Sequence, residues 1–120
     1  MKKSILVVDD DVMNLKRTKM ILEKQYRVLL AKSGEEALDR LERDRIDLVL
    51  LDIAMPGMDG IETFEQMNNY SIKVPVIFLT ASGDEDDVMS AIRLGAANYL
   101  KKPFYPPELL KRVAKEFDEE

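Results

Sequence analysis

Asp9, Asp10 and Asp11 stand in a row near the start of the sequence, and Asp52, Thr80 and Lys102 follow at wide intervals. Each lies where a short apolar run stops. Residues 5–8 run into the aspartate triplet, 47–51 into Asp52, 74–79 into Thr80, and 98–100 into Lys101-Lys102-Pro103. Several carboxylates packed together repel one another, so at neutral pH they need a cation or a raised pKa. Oxygen ligands without histidine or cysteine select a hard cation, Mg²⁺ before zinc. A lysine and a hydroxyl beside such an ion make a site for a phosphoryl group, with the cations bearing charge and the hydroxyl donating a hydrogen bond. A carboxylate is also a nucleophile toward phosphorus, giving an aspartyl phosphate. Residue types leave open which aspartate attacks.

Composition narrows the rest. The 120 residues suit one domain, 1–120, and 46% apolar with 34% charged side chains is the balance of a soluble globular protein. There is no histidine and no cysteine, which removes disulfides, thiolate chemistry and a histidine base. The net charge of −5 argues against general nucleic-acid binding. No P-loop, G-x-G-x-x-G or helix-turn-helix pattern supports nucleotide binding or direct DNA reading. The first apolar run ends in aspartates and is neither a signal peptide nor a membrane span, so a cytoplasmic location is expected.

The elements that must position these groups alternate. Apolar runs at 5–8, 27–31, 47–51, 74–79 and 98–100 predict five strands, and the near-continuous first, third and fourth predict central strands buried on both faces. Helices are expected between them, with Leu15, Thr18, Ile21 and Leu22 facing inward on the first, and Ala37, Leu38 and Leu41 on the second. Ile61, Phe64 and Met67 mark the third before Asn68-Asn69, Val88, Ala91 and Ile92 the fourth, and Leu109, Leu110, Val113 and Phe117 the fifth. Ser33 and Glu36 predict a capping box. Asp11 and Asp59 suit N-caps, the run 84–87 suits a helix start, and Gly95 suits a left-handed C-cap. Tyr105 caps poorly, although Pro106-Pro107 suits a first turn, so an exposed Tyr105 used in contact is expected. Strict alternation implies an α/β doubly wound parallel sheet, with ligands bound at the carboxyl ends of its strands.

Four stretches now become specific: 5–10 (Ile-Leu-Val-Val-Asp-Asp), 51–60 (Leu-Asp-Ile-Ala-Met-Pro-Gly-Met-Asp-Gly), 79–81 (Leu-Thr-Ala) and 99–104 (Tyr-Leu-Lys-Lys-Pro-Phe). In this order and at these separations, the sequence resembles the receiver domains of bacterial response regulators over its whole length. The resemblance implies a flavodoxin-like (βα)5 fold with strand order 2-1-3-4-5. It implies that Asp52 accepts a phosphoryl group from a sensor histidine kinase or a histidine phosphotransfer protein. Asp9, Asp10, Asp52 and the backbone carbonyl of Ala54 would hold Mg²⁺, with Mn²⁺ able to substitute. Lys102 would pair with the phosphate, Thr80 would move to it, and Tyr99 would follow by turning inward. The Lys102–Pro103 bond is expected to be cis, and small Ala81 leaves room for the incoming donor. Ala54 and Ser82 occupy positions that tune water access.

The implied protein is a two-component phosphorelay switch and not an enzyme, though it assists its own phosphorylation and dephosphorylation. Its output surface would be the fourth helix, fifth strand and fifth helix, read by a downstream effector protein or a C-terminal output domain. Neither nucleic acid nor membrane would be a direct partner. Ala97 and Asn98 replace an acidic pair common in dimerising receivers, which favours a monomer or a weak phosphorylation-dependent dimer. Two other functions compete: a receiver-like interaction module that is never phosphorylated, and a haloacid-dehalogenase-type phosphatase. The second would make Asp9 the nucleophile and leave Asp52 unexplained. Lys101 and Asp11 are assigned bland roles, solvated charge and helix cap.

Overall fold

The computed structural model describes residues 2–81 and 85–118, the side chain of Glu85 excepted. Five strands, β1 (Ser4–Val8), β2 (Arg27–Ala31), β3 (Leu48–Asp52), β4 (Val76–Thr80) and β5 (Asn98–Lys101), alternate with five helices. The helices are α1 (Val12–Leu22), α2 (Gly34–Arg43), α3 (Gly60–Asn69), α4 (Glu85–Arg93) and α5 (Pro106–Glu116). All four ladders are parallel, and the strand order is β2-β1-β3-β4-β5. Ser82 and Asp84, singled out from the sequence, lie outside the described residues, while Asp86 and Asp87 fall in the first turn of α4. No helix among the described residues is long and apolar enough to cross a membrane.

The central strands explain their own composition. Side chains alternate across a strand, so a strand covered on both sides must be apolar at every position. Leu6, Val8, Val49, Leu51 and Phe78 pack with α2 and α3 through Ala37, Phe64 and Met67. Their neighbours Ile5, Val7, Leu48, Leu50 and Ile77 pack with α1 and α5 through Leu15, Leu22, Leu109 and Val113. Phe64 and Phe78 meet edge to face at 5.4 Å, a favoured aromatic geometry.

Strand ends differ from expectation by one or two residues: β1 begins one residue earlier, at Ser4, and three others end one residue later. Asp52, Thr80 and Lys101 belong to the strands, with Asp52 paired to Leu79 and Thr80 paired to Lys101. Backbone pairing is indifferent to side-chain polarity, so the ladder continues one residue beyond the apolar run. At the other end, Asp47 and 74–75 stay outside the strands. Pro75 has no N–H to give a ladder, although its carbonyl accepts from Val49 at 3.0 Å.

The caps are mixed in outcome. Asp11 accepts the N–H groups of Met13 and Asn14 as the N-cap of α1. Ser33 accepts the Glu36 N–H at 3.1 Å, but among the described residues Glu36 returns no bond. The two-way box forms at α3 instead, between Asp59 and Glu62. Asp59→Ala removes that cap and is expected to lower stability by about 1 kcal/mol; urea denaturation would show it as a lower midpoint with an unchanged slope. After α4, Gly95 takes φ +92°, and the Ala96 N–H reaches back to Ala91 O at 3.0 Å, closing the helix as glycine permits. Tyr105 precedes α5 without a side-chain cap bond and is 78% exposed.

Candidate functional site

Parallel strands put their carboxyl ends on one edge, and the polar residues meet there. Asp9 follows β1, Asp52 ends β3, and Thr80 ends β4; all three are buried. Lys102 follows β5, and its N–H bonds back to Thr80 O at 2.7 Å, which fixes where its side chain starts. Its Nζ lies 2.7 Å from Asp9 Oδ2 and 3.3 Å from Asp52 Oδ1. The Lys102–Pro103 bond is cis, as the family resemblance implies. Asp9 also accepts the Asp11 N–H at 3.0 Å through Oδ1, so each of its oxygens has one partner that fixes its orientation. Asp10 is exposed beside it.

Asp9, Asp10 and Asp52 each offer a carboxylate oxygen, and these oxygens lie within 4.8 Å of one another. Three carboxylates against one ammonium leave the cluster with uncompensated negative charge. Oxygen donors at this spacing fit a hard divalent cation and not a soft one. The electrostatics say the same from the opposite direction. Burial raises the Asp52 pKa to about 6, Lys102 opposes the rise, and the charges of Asp9 and Asp10 add to it. Burial works against the Lys102 charge, but its hydrogen bond to Asp9 and the charge of Asp52 outweigh that, and its pKa is raised. Lys102 is therefore a fixed cation, and Asp52 is the carboxylate short of positive charge.

The remaining residues singled out from the sequence divide. Ala54 lies exposed two residues beyond Asp52, and Ala81 is exposed directly after Thr80. Tyr99 is on the edge strand and 40% exposed; Lys101 is exposed, as a solvated charge should be. Two arginines gave no sequence signal. Arg112 donates to Asn98 Oδ1 at 3.0 Å and Tyr99 O at 2.7 Å, and Arg17 donates to Phe104 O at 3.3 Å. Their partners are backbone carbonyls or an amide far away in sequence, and no spacing rule reveals such a partner.

A doubly wound flavodoxin-like domain with an acidic cluster and a lysine at its carboxyl edge is the class that fold and site define. Within that class, the family model described as "Response regulator receiver domain" matches residues 5–114. The chain belongs to the response regulator receiver domains of two-component systems. It is 40% identical to the alkaline phosphatase synthesis transcriptional regulatory protein PhoP of Bacillus subtilis over 94% of this chain and 48% of that protein. The chain thus spans about half the length of the curated relatives it matches. A CheY-like receiver domain protein from Methanospirillum hungatei superposes with a TM-score of 0.92 at 33% identity, covering 98% of this chain and 95% of that one. The receiver domain of DrrB, a Thermotoga maritima regulator, described as BeF3 activated, gives 0.88 at 32% identity, covering 99% and 100%.

Proposed function

We propose that Asp52 accepts a phosphoryl group from a phosphohistidine on a sensor histidine kinase or histidine phosphotransfer protein. The observation that carries this reading is the buried Asp52 carboxylate held 3.3 Å from Lys102 inside an acidic cluster. Asp52 is the one member of that cluster that ends a central strand beside the β3–α3 loop. Its oxygen forms the bond to phosphorus; the bond from phosphorus to the donor nitrogen breaks, and the nitrogen keeps the electron pair. Asp9, Asp10, Asp52 and the Ala54 carbonyl would hold Mg²⁺, or Mn²⁺ in its place, which supplies positive charge to the phosphoryl oxygens. Lys102 supplies the second positive charge from a position already fixed by Asp9. Thr80, at the neighbouring strand end, donates its hydroxyl to the new phosphate.

The new charge favours the arrangement in which Thr80 and Lys102 both engage it, and the population shifts by that difference in binding. Tyr99 turning inward would carry the change to the α4–β5–α5 surface, where an effector protein or an output domain reads it. Asn98 stands where many dimerising receivers carry acid, and its bond to Arg112 keeps that guanidinium within the chain, which supports a monomer or weak dimer.

The test is intact-mass measurement after incubation with acetyl phosphate and Mg²⁺. One added phosphoryl group that requires the metal is expected for the wild type and none for Asp52→Asn. An adduct of equal yield on the variant would refute the assignment. Saturating Mg²⁺ is also expected to raise the melting temperature by several degrees, because the ion binds the folded cluster alone. A scan insensitive to Mg²⁺ would count against the ligand set.

A further inference from the structure

A cavity of about 280 Å³ adjoins Lys102, lined by Asn14, Arg17 and Thr18 of α1, by Ala81 after β4, and by Lys102 and the Pro103-Phe104 segment after β5. Nothing in the phosphorylation chemistry of Asp52 needs Asn14 or Arg17, yet they bring an amide and a second guaranteed cation to the side of the site. We propose that this cavity receives the leaving group of small acyl-phosphate donors, and that Arg17 holds the departing carboxylate. The inference rests on Asp52 being the acceptor.

Three observations support it. The cavity is lined by Lys102, which also contacts Asp52 in the acidic cluster, so a donor whose phosphoryl group sits against both groups has its other end on the cavity side. Arg17 is anchored by a bond to Phe104 O from Nη2, which leaves other donors of the fork for an anion. A guanidinium presents its donors in the planar pattern that a carboxylate matches. Ala81 lines the cavity with no bulk beyond a methyl group and is exposed, which leaves room for a small donor on that side.

The chemistry gives the cavity a defined task. Asp52 Oδ bonds to phosphorus, the bond from phosphorus to the acyl oxygen breaks, and that oxygen leaves with the electron pair as a carboxylate. No proton is required. Negative charge grows on the leaving oxygen during the step, and a positioned cation is worth most where charge develops. Phosphoramidate offers the contrast: its nitrogen already carries its proton and departs as neutral ammonia, which gives Arg17 no anion to hold.

The experiment compares phosphorylation rates with acetyl phosphate and with phosphoramidate, in the same Mg²⁺ buffer, for wild type, Arg17→Gln, Arg17→Lys and Lys16→Gln. Arg17→Gln is expected to lose roughly tenfold with acetyl phosphate and to keep its rate with phosphoramidate. Arg17→Lys should recover part of the loss. Lys16 is exposed on the same helix, so Lys16→Gln removes equal charge without touching the cavity and should leave both rates near wild type. An equal loss with both donors, an equal loss in Lys16→Gln, or no loss at all overturns the proposal. Each of those outcomes still requires a labelled Asp52. A wild type that neither donor labels would instead overturn the assignment of Asp52 itself.

Discussion

Asp52→Asn is expected to abolish phosphoryl transfer and, in the absence of divalent metal, to make the domain more stable near neutral pH. The two effects have one origin. In the folded chain the Asp52 pKa is raised from 3.8 to about 6 by burial and by its acidic neighbours. The folded state therefore holds a proton on Asp52 at pH values where the unfolded chain has released it. Stability then falls as pH rises through the interval from 3.8 to about 6, because the unfolded state binds fewer protons there. Above that interval the full penalty is present. The shift corresponds to about 3 kcal/mol, with the attraction of Lys102 already included in it. Asp52→Asn should thus exceed the wild type by about 3 kcal/mol near pH 7. The advantage should shrink as pH falls through about 6 and vanish near 3.8. Urea denaturation of both proteins across that range measures the difference directly, and titrations common to both cancel. Parallel curves would remove the electrostatic account. Saturating Mg²⁺ should reverse the ranking, since it compensates the same charge and binds the wild type better.

That coupling explains which parts of the site were legible beforehand. Burial of β1, β3 and β4 on two faces forces unbroken apolar runs, and such runs stand out in a sequence. Asp9, Asp52 and Thr80 are conspicuous because they are the polar residues that stop those runs. The ladder does not stop with them, as the pairs Asp52–Leu79 and Thr80–Lys101 show, so apolarity marks the buried stretch and not the hydrogen-bonded one. Asp11 was separable from its two neighbours because capping needs a residue just before a helix, and its oxygen is spent on Met13 and Asn14. Ser33 and Glu36 carried the same kind of signal as Asp59 and Glu62, yet only the second pair closes in both directions. A carboxylate's choice between water and one N–H is a small free-energy difference that spacing does not encode. Arg17 and Arg112 were invisible for another reason. Their partners at 98, 99 and 104 become neighbours only after α1 and α5 pack on the sheet.

Gly60→Ala is expected to cost about 3 kcal/mol, several times what Gly57→Ala costs, although Gly57 lies in the loop after Asp52 and Gly60 opens the helix that ends that loop. The physical demands at the two positions differ. Gly57 has φ +73° with nothing within 4 Å of a Cβ, so an alanine there meets only the strain of a left-handed backbone, about 1 kcal/mol. At Gly60 a Cβ would collide with the Asp52 carbonyl oxygen and lie 2.8 Å from the Ile53 Cα. These are backbone atoms at the end of a central strand, and they have no rotamer by which to yield. The Gly60 N–H to Ile53 O bond at 2.8 Å holds the first turn of α3 against that strand end. Relief must come from α3 moving away or from Asp52 moving, and the second displaces the acceptor from Lys102. Gly60→Ala should therefore lose phosphorylation rate even under conditions where it remains folded, whereas Gly57→Ala should lose only stability. Equal denaturation midpoints for the two variants would show that close approach is not the constraint at Gly60. A folded Gly60→Ala with the wild-type labelling rate would show that α3 moves while the strand end stays in place.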